Sequence, residues 1–217
     1  MAKKVGVLLS GCGVFDGAEI HESVLTLLFL DRAGAEIICM APDMEQFHVI
    51  NHLTQAEMDE KRNVLIESAR IARGDIRNVT DVTAADLDAL IIPGGFGAAK
   101  NLSDFAVQGP QATVHPDIQR LLEEMADAGK PVGAICIAPA TLTRAIGDKS
   151  PEVTIGNDVG TAEAIESMGG KHHICTVDTI HLDERNRVVS TPAYMLGPSI
   201  KHVAEGIEKL VHQIMTM

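Results

Sequence analysis

Pro131-Val132-Gly133-Ala134-Ile135-Cys136-Ile137-Ala138-Pro139-Ala140 is the stretch that decides the fold. The apolar run at 132–135 is too short for a helix and reads as a buried strand. Pro139 would break a strand or a helix interior. It is tolerated in a first helical turn, where backbone N–H groups have no intrahelical partner. A helix is therefore expected from about residue 136 or 137. Ala134 and Ala138 flank the cysteine two positions either side, as a nucleophile elbow requires where strand and helix pass closely. Such a turn lifts the Cys136 thiol toward a helix N-terminus, whose positive end favours thiolate. Without that context Cys136 would read as a small buried hydrophobe. With it, the reading moves to a nucleophile.

Working outward, apolar segments alternate with helical ones. Strands are expected at 4–10, 36–40, 87–92 and 153–155, and at 174–183 and 188–191 around a hairpin-like turn at 183–186. Helices are expected at 18–31, with Ile20, Val24, Leu27 and Leu28 inward, and at 57–73, 116–128, 159–168 and 199–215. The pattern predicts an α/β fold: a three-layer, doubly wound, mostly parallel sheet between two helical layers. Residues 1–217 read as one such domain, with an elaboration at about 42–81. In these sheets ligands sit beyond the carboxyl ends of the strands. Three loops converge there, at 11–17, at 93–100 and at Cys136.

Composition narrows the function classes. The chain has 217 residues and a net charge of −12, which repels nucleic acid and anionic membrane surfaces. Aromatic residues are 3% with no Trp, so stacking platforms for bases or sugars are not expected. No apolar span of membrane-crossing length occurs. The four cysteines are widely spaced, no compact Cys/His spacing points to zinc, and reduced thiols in a cytoplasmic compartment are expected. No metal or cofactor is expected. Gly11-Cys12-Gly13-Val14-Phe15-Asp16-Gly17 superficially suggests a dinucleotide fingerprint, but its third glycine comes one residue late.

Glu22 lies one turn into the first helix. By position alone it is a solvated glutamate that complements the helix N-terminus, as is Glu19. Alternatively it is offset from the Ile20/Val24 stripe and leans toward the carboxyl edge, within reach of Cys136. Pro93-Gly94-Gly95 ends a strand without side chains. It is a tight turn that also leaves an N–H to aim at a substrate oxygen.

These residues resemble a known family. Gly17-Ala18-Glu19-Ile20-His21-Glu22, Pro93-Gly94-Gly95-Phe96-Gly97 and Ala134-Ile135-Cys136-Ile137-Ala138-Pro139 are similar to the PfpI superfamily. That superfamily holds the Parkinsonism-associated deglycase and PfpI-type proteases on a flavodoxin-like, class I glutamine amidotransferase-like fold. Leu9-Ser10-Gly11-Cys12-Gly13, Val49-Ile50-Asn51-His52-Leu53-Thr54, Arg62-Asn63-Val64-Leu65-Ile66-Glu67, Gly97-Ala98-Ala99-Lys100-Asn101-Leu102 and Thr191-Pro192-Ala193-Tyr194-Met195 resemble one branch, the ElbB-type glyoxalase associated with isoprenoid biosynthesis. The resemblance implies Cys136 as nucleophile, Glu22 as its partner acid, and Gly95 with the Ile137 amide as oxyanion donors. It also implies a homodimer and, as candidate substrate-binding residues, Lys100, Asn101 and Asn51.

One departure matters. Proteases of the superfamily carry histidine directly after the cysteine, where this chain has Ile137. The amidotransferases' His-Pro-Glu has only Thr191-Pro192-Ala193 as a counterpart. Peptide or glutamine hydrolysis then lacks its general acid. The expected function is a cofactor-independent glyoxalase or deglycase acting on a small dicarbonyl. A redox-sensing or chaperone-like dimer using Cys136 is the alternative, and a nucleotide-binding module is disfavoured. His52, His115 and His181 stay open as a third partner of the cysteine.

Overall fold

The computed structural model describes residues 2–217. In chain order its elements are β1 (Lys4–Leu8), α1 (Ile20–Arg32), β2 (Glu36–Ala41), α2 (Val64–Ile71), β3 (Arg77–Asn78), β4 (Ala89–Ile92), α3 (Phe96–Lys100) and α4 (Phe105–Gln108). They continue with α5 (Pro116–Asp127), β5 (Val132–Ile135), α6 (Ala138–Ile146), β6 (Glu152–Gly156), α7 (Val159–Ser167), β7 (Lys171–Ile174), β8 (His181–Asp183), β9 (Val188–Thr191) and α8 (Ile200–Thr216).

Strands β4 and β5, and β1 beyond Lys4, are apolar because helices cover both faces, whereas β9 (Val188–Thr191) is buried between α8 and β6, where Ser190 Oγ accepts the Thr154 N–H at 2.9 Å. Successive side chains alternate between two cores. Leu8, Leu90 and Ile92 pack with Ile118, Leu121, Leu122 and Met125 of α5 and Leu142 of α6. Val7, Ile91 and Val189 pack on the other face with Leu30 of α1 and Ile207, Leu210 and Ile214 of α8. Each such fully buried aliphatic side chain contributes roughly 1.5–3 kcal/mol. The seven-stranded sheet runs β3-β2-β1-β4-β5-β9-β8, with β6 and β7 forming a separate parallel pair. All pairings of the large sheet are parallel except β8 with β9. This is the doubly wound α/β architecture expected, and the strand order reverses between β1 and β4. Ligands of such sheets bind in that crevice.

Several local expectations are corrected. On α1 the buried residues are Glu22, Ser23, Thr26, Phe29 and Leu30, whereas Ile20, Val24 and Leu28 are 40–49% exposed. The polar residues tolerate burial because Ser23 Oγ donates to the Glu19 carbonyl at 2.7 Å and Thr26 Oγ1 to the Glu22 carbonyl at 2.8 Å. The helix expected over 57–73 is shortened to α2. The Asn63 side chain caps it by accepting the Ile66 N–H, while Glu45 bridges to Asn63 and Ile50 to Glu57 in the irregular chain before it. The strand expected over 174–183 divides: β7 ends at Ile174, a turn bonds Thr179 N–H to the Thr176 carbonyl at 3.1 Å, and β8 joins the main sheet. No helix among the described residues is long and apolar enough to cross a membrane.

Candidate active site

Cys136 follows the last residue of β5 with φ +62°, the left-handed region that ordinarily costs a non-glycine residue about 1–2 kcal/mol. The sheet holds it there, its N–H donating to the Thr191 carbonyl of β9 at 3.0 Å. Backbone strain of this kind persists only where its surroundings over-determine it. Helix α6 begins at Ala138, with Pro139 in its first turn. The Ile137 amide consequently has no helical partner, and with the Gly95 amide it faces the cysteine sulfur and favours its thiolate.

Glu22 reaches the same sulfur from the first turn of α1 and is completely buried. The α1 start is capped by Glu19, whose carboxylate accepts the Glu22 N–H at 2.7 Å. Glu22 Oε2 accepts the Gly94 N–H at 2.9 Å and Oε1 accepts the Tyr194 N–H at 3.2 Å. The carboxyl stands against Cys136, whose side chain lowers its titration while it raises that of the thiol. Gly94 permits this convergence: a Cβ there would meet the Cys136 Cβ and stand 2.6 Å from Glu22 Oε2. Gly95 has φ +91° and its absent side chain leaves room for the backbone of residues 17–19.

Burial, reinforced by the Glu19 charge, pushes the Glu22 carboxyl from 4.5 up to about 8, so it carries its proton at neutral pH. Burial and the Glu22 charge push the Cys136 thiol up as well, against the pull of the Gly95 and Ile137 amides. The expectation of a resting thiolate is thereby corrected. Desolvation outweighs the pull of the amides, and a charged Glu22 raises the thiol further.

A cleft of about 380 Å³ opens over Cys136. Val14, Phe96, Ile137 and Met195 make its wall apolar, and Glu19, Asp158 and Thr161 supply polar groups. No lysine or arginine lines it. Glu19, read from sequence as solvated, is buried at this wall, and burial raises its carboxyl too.

The proposed substrate-binding residues are placed elsewhere. Asn101 is buried and fully engaged: Nδ2 donates to the Ser10 carbonyl at 2.8 Å and the Asp16 carbonyl at 2.9 Å, and Oδ1 accepts the Phe47 N–H at 2.9 Å. It ties three loops together. Lys100 Nζ lies 3.0 Å from His48 Nε2 and 4.7 Å from the centre of the Phe96 ring. Asn51 closes a turn, its Oδ1 accepting the N–H groups of Leu53 and Thr54. None of the three lines the cleft. Nor do the candidate histidines: His52 contacts the Phe15 N–H, His115 caps α5 and His181 faces Glu152. His21, which precedes Glu22 in the chain, has its Nδ1 2.8 Å from the hydroxyl of Tyr194, a residue that lines the cleft. Tyr194 itself was missed as a site residue because its contribution to Glu22 is a backbone amide, which residue type does not signal.

The DJ-1/PfpI family model matches residues 7–172. Among curated proteins, the rat ES1 protein homolog, mitochondrial, is 47% identical over 99% of this chain and 84% of its own length. The human glutamine amidotransferase-like class 1 domain-containing protein 3, mitochondrial, is 45% identical over 100% of this chain and 84% of its own. An isoprenoid biosynthesis protein with an amidotransferase-like domain from Ehrlichia chaffeensis superimposes with a TM-score of 0.91 at 37% identity, over 98% of this chain and 99% of that one. The mitochondrial naming of the rat and human proteins overturns the expectation of a cytoplasmic protein.

Proposed function

Because the chain belongs to the DJ-1/PfpI family, we propose that it is a cofactor-independent glyoxalase acting on glyoxal or a similar small dicarbonyl. The observation that carries this reading is the fully buried Glu22 carboxyl set against Cys136 around Gly94, in a cleft that no histidine lines. The cleft has room for a two- or three-carbon substrate, and its wall has no cation to hold a carboxylate or phosphate. Neutral aldehydes suit it better than glutamine, whose carboxylate would face Glu19 and Asp158.

In the proposed reaction the Cys136 sulfur adds to one carbonyl carbon, and the thiol proton passes to the oxygen, giving a hemithioacetal. Addition to an aldehyde expels no leaving group, so no general acid for an amine is required. Glu22, as carboxylate, takes the C–H proton from the sulfur-bearing carbon and returns a proton to the neighbouring carbon. One carbon is oxidised and its neighbour reduced, leaving a hydroxyacyl thioester. Water cleaves the thioester to the hydroxy acid and restores the thiol. From glyoxal the product is glycolate. The Gly95 and Ile137 amides, which face the sulfur, would stand beside the oxygen of the adduct.

The same attack on an adduct between a dicarbonyl and a protein side chain would constitute deglycation. The ElbB-type resemblance and the likeness to the Ehrlichia chaffeensis isoprenoid biosynthesis protein both support a link of this chemistry to isoprenoid biosynthesis. A homodimer would cover the exposed Ile20, Val24 and Leu28 of α1, and light scattering of the purified protein tests it. Incubating purified protein with glyoxal and quantifying glycolate tests the reaction. Absence of glycolate above the rate with Cys136→Ser rejects it.

A further inference from the structure

Away from the cysteine cleft, the start of β6, the middle of β7 and the start of β8 bring Glu152, His173 and His181 together. The two imidazole rings are stacked, 3.9 Å between centres and 10° from parallel. His173 Nε2 lies 3.0 Å and His181 Nε2 lies 3.6 Å from the same oxygen, Glu152 Oε2. Both Nε2 atoms are shielded from solvent, yet neither makes an aligned hydrogen bond. A buried nitrogen left unpaired ordinarily costs on the order of 1–3 kcal/mol. Two of them aimed at one carboxylate oxygen call for a common partner.

We propose that Glu152, His173 and His181 form a divalent transition-metal site, with Zn²⁺ as the ion of choice. Zinc bonds histidine nitrogen at about 2.0–2.1 Å and carboxylate oxygen at about 2.0–2.2 Å, so tetrahedral ligand atoms stand roughly 3.3 Å apart. The two Nε2–Oε2 separations bracket that value, and all three ligand atoms lie within 4.8 Å of one another. Because an ion lies in the plane of each imidazole it binds, the rings, now 10° from parallel, must unstack by tens of degrees as their Nε2 atoms turn toward it. Lys171 Nζ, 3.1 Å from Glu152 Oε1, occupies the other carboxylate oxygen and presents Oε2 alone to the ion. Support for a ligand by such an outer contact is usual at metal sites. Two nitrogens and one oxygen suit zinc, copper or nickel over calcium or magnesium. The fourth position is left to water or an added ligand. The ion would clip the β6–β7 pair to β8 and so to the edge of the main sheet. No short sequence spacing announces the site, because its ligands come from three strands.

The test uses the whole protein, stripped with chelator and titrated with ZnCl₂ in a calorimeter, with Co²⁺ as spectroscopic probe. The expected result is one Zn²⁺ per chain with submicromolar affinity, a rise of several degrees in Tm, and visible cobalt bands without thiolate charge transfer. His173→Ala, His181→Ala and Glu152→Gln should each weaken binding at least 100-fold. Lys171→Ala should retain it. A wild-type chain that binds no Zn²⁺ at 100 µM overturns the proposal. So does a thiolate-to-cobalt band, which would place the ion on a cysteine, or undiminished binding in the double histidine variant. Should a histidine variant fail to fold, Glu152→Gln and the wild-type cobalt spectrum decide.

Discussion

The Gly94 N–H donates to Glu22 Oε2 at 2.9 Å, and a Cβ on residue 94 would stand 2.6 Å from that same oxygen. Gly94 therefore helps the Tyr194 amide to hold the carboxyl in place and, having no side chain, leaves room for it beside Cys136. Gly94→Ala should fold with a lowered Tm, since overpacking of this kind costs about 1–3 kcal/mol. It should also lose at least about 100-fold in glyoxal turnover, because the general base is displaced. Turnover within twofold of wild type would show that the Glu22–Cys136 contact is dispensable.

The strained backbone at Cys136 gives a second, independent test. Cys136→Ser and Cys136→Ala should both abolish glycolate formation while keeping the far-ultraviolet circular dichroism of the wild type. Cys136→Gly should be equally inactive, yet more stable than Cys136→Ala by about 1 kcal/mol, because glycine adopts φ +62° without a Cβ penalty. Chemical denaturation of the two variants measures this. An alanine variant as stable as the glycine variant would mean that the elbow stores no strain.

Much of this arrangement is legible in the sequence where side-chain type and position agree. The run ending at Ile135 and the tolerated Pro139 place the elbow, and the buried runs of β1, β4 and β9 place the sheet. The reading fails where a polar side chain satisfies itself locally. Ser23 and Thr26 bond back to carbonyls of their own helix, so the buried face of α1 looks polar and its exposed face, with Ile20 and Val24, looks apolar. Glu22 was thus placed beside the buried stripe when it lies in the middle of it. The reading fails again where a polar residue serves the backbone. Asn101 and Asn51 have the chemistry of substrate ligands, but loop amides and carbonyls consume it.

Ile137 stands where a general acid for an amine would be required, and its side chain forms part of the apolar wall. Ammonia release from glutamine by purified protein should therefore equal that of Cys136→Ala. Release above that background would restore amidotransferase chemistry and demand a proton donor outside the cleft described.

Glu22 titrates in a range where both activity and stability report it. Its carboxyl is raised from 4.5 to about 8. Between those values the unfolded chain has lost the proton while the folded chain keeps it. The stability associated with neutral Glu22 is complete below 4.5 and is lost as pH rises toward about 8, by up to roughly 1.4 kcal/mol per pH unit. Glu22→Gln does not titrate, so its Tm relative to wild type should climb from pH 5 to pH 8. Turnover should behave in the opposite sense. Wild-type kcat/KM for glyoxal should rise from pH 6 through about 8 as the carboxylate base forms, whereas Glu22→Gln should lose about 100-fold or more and show no such limb. Glutamine still offers a donor to the sulfur, so iodoacetamide should alkylate Cys136 in this variant at least as fast as in wild type. Glu22→Leu removes the donor and leaves the burial, and should slow alkylation as well as turnover. Wild-type turnover by Glu22→Gln would reduce Glu22 to a structural donor and move the base to another group, with His21, bonded to the cleft residue Tyr194, the first to test.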